Sequence, residues 1–387
     1  MRVGVIGGGV YGTAIAYFLK RFDVEDVILF EKDAIGGLST SKSAGIVRQH
    51  YSHEIQIRIA KRGRDLLAVF DELVEQECGF HQNGYLIMAN EGNADQFRAI
   101  VEMQQRAGVE VESVSPDQLT EHVPGIDDSG IEVAALEPSG GFADPYLTAS
   151  GFAKKAQELG ADIRSNTPVT GIEVESETVK AVQTPGDRVE VDVLVNAAGP
   201  YGSEIGHMAG VEIPLKRHEA KIMVLESDSQ FGPERPVVSD IGDGIYVKPE
   251  PGGDFILGGV EREGGHRVID DEADLQGVTN DDLRQASAFL DHRLPGYSDA
   301  RVAETWTGII TASPDWHQVI GVPDGYNNFY NAVGHSGHGF KEAPAFAESI
   351  AQDIIGETPE FDLSVYRLER FGSGDEFQGG YEDESRG

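Results

Sequence analysis

The chain has 387 residues, 40% of them apolar, which is enough for a full core and excludes intrinsic disorder over most of its length. Its 31 basic residues face 66 acidic ones, and the resulting net charge of −35 excludes phosphate-backbone binding as a function. So acidic a surface repels itself at low ionic strength, whereas molar salt shortens the Debye length to about 3 Å and removes most of that penalty; the composition is that of a salt-adapted, halophilic protein. The single cysteine, Cys78, cannot form an intramolecular disulfide or a Cys-based metal site, which fits a reducing compartment. The uncharged stretch 3–19 is too short and too rich in glycine to span a bilayer, and signal cleavage within it would destroy the motif described below. A cytoplasmic location is expected.

In chain order, an apolar strand over 3–6, a Gly-rich turn, a helix over 10–21 and a second strand over 26–30 form a βαβ-type start. Residues 53–78 carry apolar side chains at helical spacing and predict one packing helix. A strand follows near 85–89, then a helix over 94–107. A composition break at Ser139-Gly140-Gly141 introduces a helix over 145–159 and short strands over 169–175, 179–184 and 191–196. From 213 to about 267 the pattern is strands and turns, clearest at 246–248 and 255–257. Helices are predicted over 278–290 and 340–355, and the acidic tail 372–387 is expected to be disordered.

Gly7-x-Gly9-x-x-Gly12 lies between a strand and a helix, the context in which such glycines bind a dinucleotide. The first makes the turn, the second lets the backbone approach a pyrophosphate, and the third allows close helix–strand packing. Val10 and Tyr11 open the helix, whose N-terminal N–H groups face the phosphates. Glu31 ends the second strand with Lys32 beside it, placed to accept hydrogen bonds from an adenosine ribose. The motif alone does not separate NAD from FAD.

Four further runs do so by resemblance: Gly36-Gly37-Leu38-Ser39-Thr40-Ser41-Lys42-Ser43-Ala44-Gly45-Ile46-Val47-Arg48-Gln49-His50-Tyr51, Val193-Leu194-Val195-Asn196-Ala197-Ala198-Gly199-Pro200, Trp306-Thr307-Gly308 with Thr311-Ala312-Ser313-Pro314-Asp315, and Gly334-His335-Ser336-Gly337-His338-Gly339-Phe340-Lys341. From residue 1 to about 370 the chain resembles the D-amino-acid oxidase superfamily of FAD-dependent oxidoreductases, and within it sarcosine oxidase, glycine oxidase and dimethylglycine dehydrogenase. The resemblance implies a Rossmann-like α/β FAD-binding domain of the ββα, glutathione-reductase-like kind, drawn from 1–83, 140–210 and 305–371. A discontinuous α+β substrate domain on a mainly antiparallel sheet would take 84–139 and 211–304.

The same resemblance implies roles. The loop carrying Ser39, Thr40, Ser41, Ala44 and Gly45 would run beside the flavin, Val169 would meet the adenine through its backbone, and Ala198 and Gly199 would let the dinucleotide lie against a strand end. Gly308 and Ile309, with Gly334, Ser336, Gly337, His338, Gly339 and Phe340, would surround the ring, the latter group leading into a helix N-terminus suited to negative charge at flavin N1 and O2. The i, i+3 pair His335 and His338 finds no further ligands nearby, so no metal is expected. Arg48 and Lys341 stand where sarcosine oxidases hold the substrate carboxylate, a guanidinium fork beside a point charge. Tyr246 matches a pocket aromatic, and His50 is a weaker candidate.

Two departures matter. Gly308 replaces the cysteine, and the 39–43 stretch lacks the histidine, through which relatives attach flavin covalently, so non-covalent FAD is expected. Ile256 falls where monomeric sarcosine oxidases keep a cation for oxygen activation, which predicts an acceptor other than O2. The expected activity is FAD-dependent oxidation of a small amino acid or N-methylated amino acid by hydride transfer to flavin N5, giving an imine that hydrolyses. Oxidation of a 2-hydroxy acid on the same clamp, or a non-catalytic FAD-binding subunit, are the alternatives. The expected partners are a small carboxylate-bearing substrate and an electron acceptor (a quinone, an electron-transfer protein or O2), with no nucleic acid and no membrane span; homo- or hetero-oligomeric assembly stays open.

Overall fold

Strand Arg2–Ile6 is apolar on both faces, as a central parallel strand must be, and it pairs in parallel with Asp26–Phe30 on one side and Val193–Asn196 on the other. A computed structural model of the chain describes residues 1–259, 266–379 and 381. The resulting six-stranded sheet runs Val319–Gly321, Phe329–Val333, Val193–Asn196, Arg2–Ile6, Asp26–Phe30, Asp162–Arg164, parallel except for the first pair. Helices Val10–Arg21, Glu54–Ala68, Pro145–Glu158 and Gly339–Ile354 pack together, and the Val10–Arg21 helix shares one core cluster with this sheet. An antiparallel meander of Gly171–Glu175, Thr178–Gln183 and Arg188–Glu190 contributes to a second core cluster with that sheet.

The second unit is a nine-stranded mixed sheet, in the order Val268–Ile269, Lys216–Glu226, Phe255–Gly258, Ile245–Pro249, Val237–Asp240, Tyr85–Ala89, Val133–Glu137, Glu112–Val114, with Arg301–Ala312 laid along Lys216–Glu226. Only the junction of Val237–Asp240 with Tyr85–Ala89 is parallel. Its own core includes Leu86, Met223, Phe231, Val247, Phe255 and Leu257 beneath helix Asn280–Arg293. Among the described residues no helix is long and apolar enough to cross a membrane.

Some expectations are corrected. The helix expected over 53–78 ends at Ala68, resumes as Phe70–Val74 and stops where Glu75 takes φ 59°. Val69, between the two, is 42% exposed, so the apolar spacing there continues past the face that packs. Strand Arg301–Ala312 crosses residue 305, where the FAD-binding segment was expected to begin, because it is paired along its whole length to the substrate-side strand Lys216–Glu226. The tail is placed rather than disordered over 372–379 and at 381: the Phe377 ring stacks on His317 at 4.1 Å, and Tyr381 is buried. The remaining tail positions, like 260–265, lie outside the described residues.

Candidate active site

Two glycine contacts bring the first strand, the first helix and the strand Val193–Asn196 together. Gly7 has φ 111°, and a Cβ there would stand 2.3 Å from the Ala197 carbonyl oxygen; a Cβ at Gly12 would stand 1.9 Å from the Gly7 carbonyl oxygen. Only glycine permits this approach. Gly9 precedes the helix without a side-chain cap, and His338 likewise precedes helix Gly339–Ile354, so two helix N-termini open on one cavity with first-turn N–H groups to offer.

The 36–48 loop closes a third wall because the first helix and strand Arg301–Ala312 both hold it. Val10 N–H donates to Thr40 Oγ1 at 3.2 Å, Ser39 Oγ donates to the Ile309 carbonyl at 2.9 Å, and Trp306 Nε1 donates to the Lys42 carbonyl at 3.0 Å. A short ladder of Ile46–Val47 with Gly141–Phe142 then fixes the chain entering Arg48. The Gly334–Gly339 turn is held by Ser336 N–H donating to the Thr311 carbonyl at 2.9 Å, with Gly337 at φ 83° beside Ile310. Lys341 is placed by helix crossing: a Cβ at Gly63 would lie 1.9 Å from the Lys341 carbonyl oxygen, so the two helices touch backbone to backbone.

The cavity wall therefore brings together Gly9, Val10, Tyr11, Ser39, Thr40, Ala44, Gly45, Arg48, His50, Gly199, Tyr246, Gly308, Ile309, Ser336, Gly337, His338, Gly339, Phe340 and Lys341. Gly7, Gly12, Ser41, Ala198 and Gly334 support that wall without lining it. Glu31 lies outside it, its two oxygens accepting 2.7 Å hydrogen bonds from Gly8 and Asp33 N–H groups; the Lys32 ammonium sits 4.1 Å over the Tyr201 ring, and Val169 packs under the meander. Ile256 is not in the wall. It pairs with Val224 and Lys248, two rows along the sheet from the Tyr246–Gly258 pair and on the same face as Tyr246, which does line the cavity. The residue from which an acceptor other than O2 was expected therefore stands beyond the cavity wall, on the face that Tyr246 shares.

Arg48 and Lys341 meet on one aromatic ring. The Arg48 guanidinium lies 4.2 Å and the Lys341 ammonium 5.3 Å from the Tyr51 ring centroid, and among the described residues neither is in an ion pair. Lys221, also in the wall, is instead paired with Asp282 at 3.0 Å. The two nearby carboxylates are engaged elsewhere. Glu137 accepts from Gln49 N–H at 2.8 Å and Gln104 Nε2 at 2.6 Å; Glu342 accepts from Gln56 Nε2 at 3.2 Å and from Gln318 Nε2, and stands 3.3 Å from His338 Nδ1. Burial and the neighbouring Arg48 charge push the Lys341 ammonium well below its ordinary value. Burial raises the Glu137 carboxyl to about 7, against the pull of its hydrogen bonds and of Arg48. Burial also raises Glu342, but His338, Lys341 and the Gln56 amide outweigh it and leave that carboxyl low.

Sequence reasoning missed Tyr51, Glu137, Glu342, Trp316 and Tyr381. Trp316 lines the cavity at φ 58°, a strained conformation for a bulky residue, and its carbonyl accepts from His338 Nε2 at 3.0 Å, which fixes a proton on that nitrogen. Its ring lies 5.0 Å from His218. Glu342 follows Lys341 directly, a signal that was available; Tyr381 in an acidic tail gave none.

A glycine-lined cradle between two helix N-termini, roofed by a mixed sheet, defines a dinucleotide-dependent oxidoreductase. Residues 2–353 match the family of FAD dependent oxidoreductases, the D-amino-acid oxidase superfamily, and the chain belongs to it. Sarcosine oxidase subunit beta of Arthrobacter sp is 28% identical over 387 residues, covering 96% of this chain and 91% of that protein. Human mitochondrial dimethylglycine dehydrogenase is 27% identical over 390 residues, covering 95% of this chain but 44% of that protein, so the chain spans less than half of that relative. L-proline dehydrogenase from P. horikoshii superposes with a TM-score of 0.87 at 30% identity, covering 96% of this chain and 98% of that one.

The residues present fit non-covalent FAD: the glycine approaches leave room for a dinucleotide, the loop supplies hydroxyls, and neither Gly308 nor the 39–43 stretch carries a cysteine or histidine for a covalent bond. Cys78 is buried outside the cavity wall.

Proposed function

We propose that the protein oxidises a small amino acid or N-methylated amino acid at the carbon next to its nitrogen, passing the electrons to an external acceptor. The observation that carries this is the Arg48–Lys341 pair, two cations turned into one cavity without a carboxylate partner among the described residues. The printed names of the relatives, a sarcosine oxidase subunit, a dimethylglycine dehydrogenase and an L-proline dehydrogenase, all concern carboxylate-bearing amines, which supports the same reading. FAD, when bound, supplies the acceptor for the hydride leaving the substrate carbon, and water hydrolyses the imine.

The chain's own residues bind and orient. Arg48 offers a planar fork and Lys341 a point charge, so a carboxylate between them is held in one orientation. Tyr246, on strand Ile245–Pro249, forms the wall on the substrate-sheet side. The sheet partition supports reading the six-stranded unit as the holder of the dinucleotide and the nine-stranded one as the cover over the substrate.

Replacing Arg48 or Lys341 by alanine should cost about 2–5 kcal/mol in kcat/KM for the best amino acid, as for truncating one member of a buried charge pair, while the flavin content stays unchanged. Two alanine variants with unaltered kcat/KM would remove the clamp.

A further inference from the structure

The descending tail is part of the cavity. Tyr381 is 7% exposed, lines the cavity with Arg48 and His50, and packs in one cluster with Tyr85, Ile87 and Ile241 from the substrate-sheet unit. Its hydroxyl lies 2.7 Å from His50 Nε2. His50 Nδ1 lies 3.0 Å from Gln104 Oε1, and Gln104 Nε2 donates to Glu137 Oε1 at 2.6 Å. These partners settle the direction of the chain. Glu137 takes the amide N–H, so Gln104 turns its carbonyl to His50; His50 therefore carries its proton on Nδ1 and accepts the Tyr381 O–H on Nε2. Burial and Arg48 hold the imidazole neutral, at about 3.

A second anchor lies upstream. Phe377 N–H donates to Asp315 Oδ2 at 3.1 Å, and Asp315 is itself paired with Arg370 at 2.7 and 2.9 Å, all three groups being held by the FAD-side unit. The Phe377 ring lies against His317 at 4.1 Å and meets His53 edge-on at 4.9 Å. Two anchors, Phe377 upstream and the Tyr381 hydroxyl on His50, fix where the Tyr381 ring stands.

We propose that Tyr381 is a specificity-determining wall of the substrate cavity, held by His50 so that its ring limits how large a carboxylate can sit between Arg48 and Lys341. This rests on the carboxylate clamp proposed above. His50 is then a positioning residue acting through Tyr381, and the size limit is set by a residue outside both sheets.

The test is calorimetric titration of the FAD-loaded full chain with acetate and with benzoate, in the parent, Tyr381→Phe and Tyr381→Ala. The parent should favour acetate. Tyr381→Ala should raise benzoate affinity by roughly tenfold or more relative to acetate, the range that pocket size differences produce. Tyr381→Phe, which keeps the ring, should preserve the parent's preference while shifting the His50 Nε2 nitrogen resonance, because that nitrogen loses its donor. An unchanged acetate-to-benzoate ratio in Tyr381→Ala, with acetate still bound, overturns the wall alone. No acetate binding by the parent overturns the clamp and the wall with it.

Discussion

At the scale of single residues, the cavity is governed by how burial acts on four charges held close together. Lys341 loses much of its basicity to burial and to Arg48, so part of its charge is lost at lower pH than for a solvated lysine. A carboxylate ligand binds the protonated form. Carboxylate affinity should therefore fall as pH rises through that lowered value, with proton uptake on binding visible as a dependence of calorimetric heat on buffer; Lys341→Met should bind weakly with a flat profile. Glu137 has the opposite displacement. Its carboxyl is raised from 4.5 to about 7 in the fold, so the folded chain keeps a proton that the unfolded chain has already released. The stability this contributes is complete below 4.5 and is lost as pH rises through 7, by at most about 3 kcal/mol at 1.36 kcal/mol per pH unit. Denaturant unfolding at pH 5 and pH 8 should show a smaller loss in Glu137→Gln than in the parent; an equal loss would mean that Glu137 is already ionised in the fold.

At the scale of elements, position is set by backbone contact as much as by side chains. The helices Glu54–Ala68 and Gly339–Ile354 cross where Gly63 meets the Lys341 carbonyl, and any Cβ at Gly63 would have to push the second helix away. Gly63→Ala should destabilise the chain by about 1–3 kcal/mol, the usual cost of overpacking. It should also weaken acetate binding, because Lys341 moves with its helix. FAD content should fall less than acetate affinity, since the Gly7–Gly12 turn at the other helix N-terminus lies on other elements. A variant with parental stability would show that the helices separate without resistance. The 36–48 loop is fixed in the same manner: Thr40 is tied to the first helix and Ser39 and Lys42 to strand Arg301–Ala312, so a segment rich in serine and glycine becomes a wall joining the two units.

At the scale of the whole molecule, charge dominates. With 31 basic against 66 acidic residues, most carboxylates have no cation of their own, even where networks form such as Arg188 with Glu173 and Glu190. Individually such exposed pairs contribute little. The summed repulsion is what salt relieves, and we take the composition to mark adaptation to concentrated salt. The melting temperature should rise between about 0.1 M and about 2 M NaCl, over which the Debye length falls from about 10 Å to below 3 Å. A melting temperature that is level or falling over that range would remove the inference.

Local chemistry specified the dinucleotide end, because a strand, a glycine turn and a helix are adjacent in the chain and each carries its own pattern. Helix Val10–Arg21 and strands Asp26–Phe30 and Tyr85–Ala89 lie where periodicity put them. Resemblance brought Arg48 and Lys341 to one cavity from nearly 300 residues apart, but local pattern could not have done so. Contacts between distant segments set the rest. Ile256 shares a sheet face with Tyr246 but stands two rows away and outside the cavity wall, a distance from the site set by a register that no local run fixes. Strand Arg301–Ala312 belongs to the substrate sheet through pairing with a partner some 80 residues upstream. Residues 372–379 and Tyr381 have the composition of a solvated tail and nevertheless dock, because Phe377 and Tyr381 meet rings and polar groups assembled from both units, a surface that exists only once the chain has folded.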